Sequence, residues 1–257
     1  SLGLSFSDFA ILYRTNAQSR TIEEYLIRSG IPYKIFGGVG FYSRKEIKDL
    51  VSYLKVFYNP KDSLSWDRVL NTPTRGVGDK TIEKIKEANF DLNLIDQKTK
   101  FPFSEMIQNA DLHSTLELLD MVLEKTNYIS WINDGTEEAE SRIENIQELR
   151  SVASQFLLLA DFLENVSLIE SSNKGKESEV EAVTLMTVHS AKGLEFEHVY
   201  MVGMEEGLFP HSRSLMNPSE IEEERRLMYV AITRAKKKLT LSNAKSRLYF
   251  GNIQMNI

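Results

Sequence analysis

Short, continuous apolar runs occupy the two ends of this chain, and amphipathic helical repeats fill its middle. Near the start, Asp8-Phe-Ala-Ile-Leu-Tyr-Arg14 is a compact apolar run between polar residues, which predicts a buried strand. Residues 17–29 carry Ile22, Tyr25 and Leu26 on one helical side, with Asn16 placed to cap the helix and Gly30 to stop it. Pro32 prevents resumption and Tyr33-Lys-Ile-Phe36 reads as the next strand, so a parallel β-α-β unit is expected. From Gly37 to about Ala182 the period becomes helical, with helices expected at 45–57, 64–70, 81–88, 115–125 and 143–164, and a flexible loop at 171–178. Strand chemistry returns at 183–188 and 198–202. A charged, then apolar, helix follows over 222–235, with Ser219 and Glu222 spaced as a capping box after Pro218. The expected fold class is α/β, a parallel-sheet domain interrupted by a mainly α-helical insertion.

Composition narrows this picture. The 257 residues, 42% hydrophobic, suffice for one large core or two smaller ones. With no cysteine, disulfides and thiolate zinc sites are excluded. The start, Ser1-Leu-Gly-Leu, has no basic leader and no segment approaches a membrane span, so a soluble, cytoplasmic chain is expected. A net charge of −6 argues against a polyanionic partner until its distribution is considered. Residues 225–257 contain no acid, while Arg225, Arg226, Arg234, Lys236, Lys237, Lys238, Lys245 and Arg247 are basic. Such a segment can contact phosphates, although a solvated mixed-charge surface explains it equally well.

Several loops carry candidate chemistry. Gly37-Gly-Val-Gly40 lacks dinucleotide-loop spacing and reads as a hinge. In Thr72-Pro-Thr-Arg-Gly-Val-Gly-Asp-Lys-Thr81, Gly76-Val77-Gly78 would leave backbone N–H groups free at a helix start, an arrangement that contacts phosphate without reading bases. An ordinary helix–turn–helix connection is the competing reading. Ser190-Ala-Lys-Gly193 offers a hydroxyl, an ammonium and a close-approach backbone after a strand, with His189 before it and a ribose-suited carboxylate at Glu195, although such a loop taken alone is more often a plain β-to-β connection. Glu205-Glu206 mimics a metal-binding strand end but reads better as a turn. Arg234, closing the last helix, offers either a helix-end charge or a planar fork for a phosphoryl group. A phosphate-binding G-x-x-x-x-G-K-[S/T] loop is missing: Gly175-Lys176 is followed by Glu177 and has no upstream glycine at the required position.

Tyr13-Arg-Thr-Asn-Ala-Gln-Ser-Arg20, Thr187-Val-His-Ser-Ala-Lys-Gly-Leu-Glu-Phe196, Gly203-Met-Glu-Glu-Gly-Leu-Phe-Pro210 and Glu223-Glu-Arg-Arg-Leu-Met-Tyr-Val-Ala-Ile-Thr-Arg-Ala235 resemble motifs IV, V and VI of superfamily 1 helicases. The match is to the UvrD/PcrA/Rep group of DNA helicases and runs in order across nearly the whole chain, weakest between 89 and 180. The resemblance implies a RecA-like domain of the P-loop NTPase type without its own Walker A, called 2A, at 1–36 and 183–257. It makes 37–182 the helical 2B insertion. It implies that Arg14, Asn16 and His189 contact the single strand's backbone, that Phe250 stacks on a base, and that Gly76, Val77 and Gly78 contact duplex. Glu195, with Gly193, would bind the nucleotide's ribose, and Arg234 would be the arginine finger.

ATP and Mg²⁺ are then the expected cofactors, shared with a missing N-terminal half that carries Walker A and B. The partners are single-stranded and duplex DNA, with no metal site in this chain. On this reading the chain is an excised piece of a 3′→5′ helicase or translocase and inactive alone. Two alternatives stay open: a DNA-binding module without ATPase coupling, and the helicase part of a recombination helicase-nuclease.

Overall fold

The computed structural model describes residues 3–173, 181–249 and 252–255. They form two compact units, Ser1–Ser43 with Ile169–Ile257, and Arg44–Leu168. The boundaries thus fall after 43 and 168, where sequence alone puts them after 36 and 182. The first shift has a physical cause. The buried Glu23 carboxylate accepts the Phe41 N–H at 3.1 Å and Glu24 accepts from the Tyr42 hydroxyl at 3.0 Å, holding 41–43 to the α/β unit.

Chain order begins with β1 (Phe9–Tyr13), α1 (Ser19–Arg28) and β2 (Tyr33–Ile35). The helical unit follows with α2 (Lys45–Tyr58), α3 (Ser63–Val69), α4 (Asp79–Glu87), α5 (Leu92–Thr99) and α6 (Phe103–Gln108). It continues through α7 (Thr115–Thr126), α8 (Tyr128–Ile132), α9 (Glu137–Ala153) and α10 (Leu159–Asn173), which spans the second boundary. The chain then returns through β3 (Val183–Thr187), β4 (Phe196–Val202), α11 (Pro218–Ile232), β5 (Ala235–Ser242), β6 (Ser246–Tyr249) and β7 (Asn252–Met255).

The α/β unit holds a five-stranded sheet of order β2-β3-β1-β4-β5, parallel throughout, beside an antiparallel β6–β7 pair. Residues of β1 alternate between two cores, as a pleated strand requires. Ala10 and Leu12 join Met186, Val199 and Met201 beneath Leu227 and Ala231 of α11. Ile11 and Tyr13 pack on the other face with Val183, Leu185 and Leu26 of α1. Burial on both faces explains why these strands read as continuous apolar runs. The expected β1-α1-β2 unit is parallel, but β3 lies between its strands.

The capping expectations need correction. Asn16 does not cap α1; it begins a 3-10 turn, and the Gln18 side-chain oxygen instead accepts the Arg14 and Thr15 N–H groups at 2.9 Å each. The helix ends as expected: Gly30 has φ +65°, its N–H reaches the Ile27 carbonyl, and the Ile31 N–H reaches that of Leu26. At α11 the cap is Asn217, whose side chain accepts the Ser219 N–H at 3.1 Å, and Pro218 is the first helical residue rather than a residue before it. That helix stops at Ile232, and Ala235 already belongs to β5.

In the helical unit, Trp66, Tyr53 and Phe103 are fully buried, with the Tyr53 and Phe103 rings stacked 5.7 Å apart. The single helix expected over 143–164 is two, α9 and α10. Ser154 and Gln155 turn their side chains back onto the Ser151 carbonyl, closing α9, and Phe156 packs edge-on against Phe162 of α10. The loop expected at 171–178 begins later, because 171–173 belong to α10 and 174–180 lie outside the described residues.

Candidate nucleic-acid and nucleotide interface

In a parallel sheet every strand leads to the same edge, where ligands of open α/β folds gather. Arg14 and Asn16 follow β1, Gly37 follows β2, His189 follows β3 and Glu205 follows β4, so all four stretches meet at the carboxyl edge. Asn16 and His189 are exposed there. Arg14 is held by the buried Glu224 of α11: Nε lies 3.0 and 3.1 Å from the two carboxylate oxygens and Nη2 lies 2.6 Å from one. The same carboxylate accepts the His211 N–H at 3.2 Å. Burial alone would raise the Glu224 pKa, but the Arg14 and His211 bonds outweigh it and hold the group below the usual carboxylate range.

Two glycines at this edge have steric reasons to be glycine. Gly203, φ +74°, would place a Cβ 2.3 Å from Gln18 Nε2, and Gly37, φ +73°, would place one 3.1 Å from Ser190 Oγ. Close packing thus accounts for Gly37, whatever part the stretch plays as a hinge. Ser190 is itself fixed by the Thr187 hydroxyl, 3.0 Å from its own.

Glu205 is more than a turn residue. It is 4% exposed, takes Arg247 Nη2 and the Ala244 N–H, each at 2.7 Å, and has its pKa lowered by those bonds against the effect of burial. Arg247, counted above among the phosphate-facing cations, is therefore committed to an internal pair. Lys236 and Lys237 are shared with Glu197 at 3.8 and 2.8 Å, so the C-terminal basic run is less available than its sequence implies.

Glu195, Gly193 and Arg234 lie at the opposite edge. The connection over 188–195 crosses from one edge to the other: the Val188 N–H bonds the Tyr13 carbonyl at the end of β1, and the Phe196 N–H bonds the Arg234 carbonyl where β4 and β5 begin. Glu195 is exposed. Gly193 has φ +85° and open space where a Cβ would point, which suits close backbone approach. Arg234 is half-buried and bonded within its own unit: Nε to the Val230 carbonyl at 2.9 Å, Nη1 to the Leu194 carbonyl at 2.8 Å, and Nη2 to the Thr233 hydroxyl at 2.9 Å. Sequence reasoning assembled Glu195 and Arg234 only through the resemblance; in the structure Arg234 bonds the carbonyl of Leu194, the residue before Glu195.

The helical unit builds its candidate turn differently. Asn71 Oδ1 accepts the N–H groups of Arg75 at 2.9 Å and Val77 at 3.2 Å, and the Val77 side chain is buried. Arg75 points inward, bonded to Tyr53 and to the Thr72 and Pro73 carbonyls and lying over the Tyr53 and Phe101 rings. Burial pushes the Tyr53 hydroxyl up to about 12 even though Arg75 lowers it, so it stays protonated and donates to the Thr72 carbonyl. Gly76 and Gly78 are exposed with open space at their Cβ positions, and α4 starts at Asp79 without a side-chain cap. Asn71 and Arg75 are residues the sequence reading missed; the one signal for them was their position beside Pro73 and Gly76.

Phe250 lies outside the described residues. Among the described residues, no group of three or more His, Asp or Glu is arranged to hold a metal ion, and no helix is long and apolar enough to cross a membrane.

The ATP-dependent DNA helicase PcrA of Bacillus subtilis is 45% identical over 97% of this chain and 38% of its own length. The ATP-dependent DNA helicase UvrD1 of Mycobacterium tuberculosis is 42% identical over 98% of this chain and 38% of its own. PcrA of Staphylococcus aureus is 41% identical over 99% of this chain and 39% of its own. The chain thus spans well under half the length of these relatives. Residues 3–246 match the family described as the UvrD-like helicase C-terminal domain, and the chain belongs to that family.

Proposed function

We propose that this chain is the C-terminal part of an ATP-dependent DNA helicase or translocase with 3′→5′ polarity. Its α/β unit serves as domain 2A and its helical unit as subdomain 2B. The observation that carries the reading is the division of the candidate residues, in a member of this family, between opposite edges of one sheet. That division suits a domain that must hold DNA and answer to a nucleotide at once.

At the amino edge, Glu195 takes a ribose hydroxyl, Gly193 lets backbone approach the nucleotide, and Arg234 stabilises charge on the γ-phosphoryl oxygens during transfer. To do so Arg234 exchanges part of its bonding to the Val230 and Leu194 carbonyls. ATP fits an edge that offers a glutamate, an open glycine backbone and an arginine fork. Mg²⁺ is assigned to the N-terminal half, which also carries the Walker motifs. At the carboxyl edge, Arg14, Asn16 and His189 hold phosphates of the single strand, and Phe250 stacks on a base. The Gly76 and Gly78 backbone rests on duplex phosphates, while Val77, expected to contact duplex as well, is spent inward with its N–H on Asn71. Alternating closure of the two RecA-like domains then ratchets the strand.

The test is ATPase and unwinding by the complete protein. Hydrolysis should rise with single-stranded DNA, and a 3′-tailed duplex should be opened in preference to a 5′-tailed one. The present chain alone should fold and hydrolyse nothing. A complete protein that binds DNA without DNA-stimulated hydrolysis would leave only a binding module, and activity in this chain above a heat-inactivated control would refute the shared-site reading.

A further inference from the structure

Arg14 and Arg234 belong to opposite edges of the sheet, and one helix touches both. At the carboxyl edge α11 presents Glu224 to Arg14, and at the amino edge the chain leaves α11 directly into Arg234. The helix rises about 12 Å from Glu224 to its last residue, Ile232, and Arg234 follows two residues later. Between them Leu227 and Ala231 are clamped in the core with Met186, Val199 and Met201. A close-packed segment of this kind moves as a rod rather than bending.

The ion pair is also directional. The Nε and Nη2 edge of Arg14 is taken by Glu224, while Nη1 has no bond among the described residues. The side chain of Glu224 is 5% exposed, so losing its guanidinium would strand a buried charge. A phosphate arriving at Arg14 therefore finds a fork whose orientation is set by α11, and any shift of that fork is felt by the helix.

From this geometry we infer that Glu224 is a positioning residue, which aims Arg14 at a DNA phosphate and passes occupancy of that contact along α11 to Arg234. The inference rests on the roles given above to Arg14 and Arg234, and names the physical link between them.

The experiment is a double-mutant cycle in the complete protein with Arg14→Ala, Glu224→Gln and both changes. The readout is kcat for ATP at saturating single-stranded DNA divided by kcat without DNA, with thermal unfolding measured alongside. Each single change should cut the stimulation about tenfold, within the range of ordinary coupling free energies. The double change should cut it no further, because Glu224 acts only through Arg14. Stimulation within twofold of wild type in Glu224→Gln, or losses that multiply in the double variant, overturns the inference.

Should Glu224→Gln prove unstable, the exchanged pair Arg14→Glu with Glu224→Arg rebuilds the bridge. It should fold but stay unstimulated, since a carboxylate then faces the phosphate. Recovered stimulation in the exchanged pair would reduce the original pair to a structural bridge. Absence of stimulation in the wild-type protein removes the functional reading itself, which separates that failure from this one.

Discussion

The two compact units prepare their candidate contacts in opposite ways. In the α/β unit the reactive groups are side chains already engaged by protein: Arg14 by Glu224, and Arg234 by the carbonyls of Val230 and Leu194. In the helical unit the side chains of the turn are spent inward, Asn71 on two N–H groups and Arg75 on carbonyls and rings, which leaves glycine backbone facing out. The first arrangement suits contacts that must change during a cycle: Arg234 can exchange neutral carbonyls for another acceptor, while Arg14 keeps its buried carboxylate and has Nη1 left to offer. The second suits a fixed contact that does not read sequence. It follows that the α/β unit should be sensitive to charge and side-chain identity, and the turn to the addition of a single carbon.

The sharpest way to break this contrast is at Arg234. Arg234→Lys keeps charge but cannot reproduce the planar fork, so in the complete protein it should be nearly as damaging as Arg234→Ala. Both should lower kcat by on the order of 10³–10⁵, with DNA binding largely retained. Steady-state ATPase on excess single-stranded DNA measures this, and near-normal turnover for Arg234→Ala would leave the residue a helix-end role worth at most about 1 kcal/mol.

Glu205→Ala should come next, destabilising the α/β unit by on the order of 3 kcal/mol, the low end for a broken buried pair because Arg247 reaches solvent. Urea unfolding reads this as a shift in midpoint without a change of slope. The same carboxylate bears on pH. Glu205 and Glu224 are held below their ordinary value of 4.5, so each protonates less readily folded than unfolded. Their stabilisation is complete above pH 4.5 and is lost as pH falls through the lowered values. Melting temperature followed from pH 6 downward should fall less steeply in Glu205→Gln than in wild type.

Phe250→Ala should weaken single-strand binding by about 1–3 kcal/mol if the ring stacks on a base. Unchanged affinity in the complete protein would make it a packing residue.

The smallest effect belongs to the turn. Gly78 has φ −84° and open space, so Gly78→Ala should fold normally while its methyl group keeps backbone off a phosphate. Affinity for a tailed duplex should drop by about 1.5 kcal/mol, the worth of one hydrogen bond to a charged group, with single-strand affinity unchanged. Gly76→Ala is the less clean probe, since φ +78° adds strain of about 1–2 kcal/mol. Equal losses on both DNA forms would indicate a folding defect instead.

The sequence alone was sufficient for the elements whose signal is local. Runs such as 8–14 and 183–188 are strands because both faces of a parallel sheet are buried, and the stretch after Gly30 ends a helix because only glycine takes that dihedral cheaply. The helicase motifs were legible for the same reason, since each is a short run of residues. Short helices such as α5, α6 and α8 went unread because so few residues show no clear period. Strand β5 was hidden by Lys236, Lys237 and Lys238, which a half-exposed strand tolerates and a propensity reading does not expect.

Tertiary structure alone decided the rest. It inserted β3 between β1 and β2 and brought Arg14 to Glu224 across 210 residues of chain. It also spent Arg247 on Glu205, turned Arg75 inward, and set the residues proposed for nucleotide and for single-stranded DNA on opposite edges of one sheet. Hydrophobic period and capping are properties of neighbouring residues. The partner of a charge and the neighbour of a strand are fixed only when distant segments compete for the same buried space.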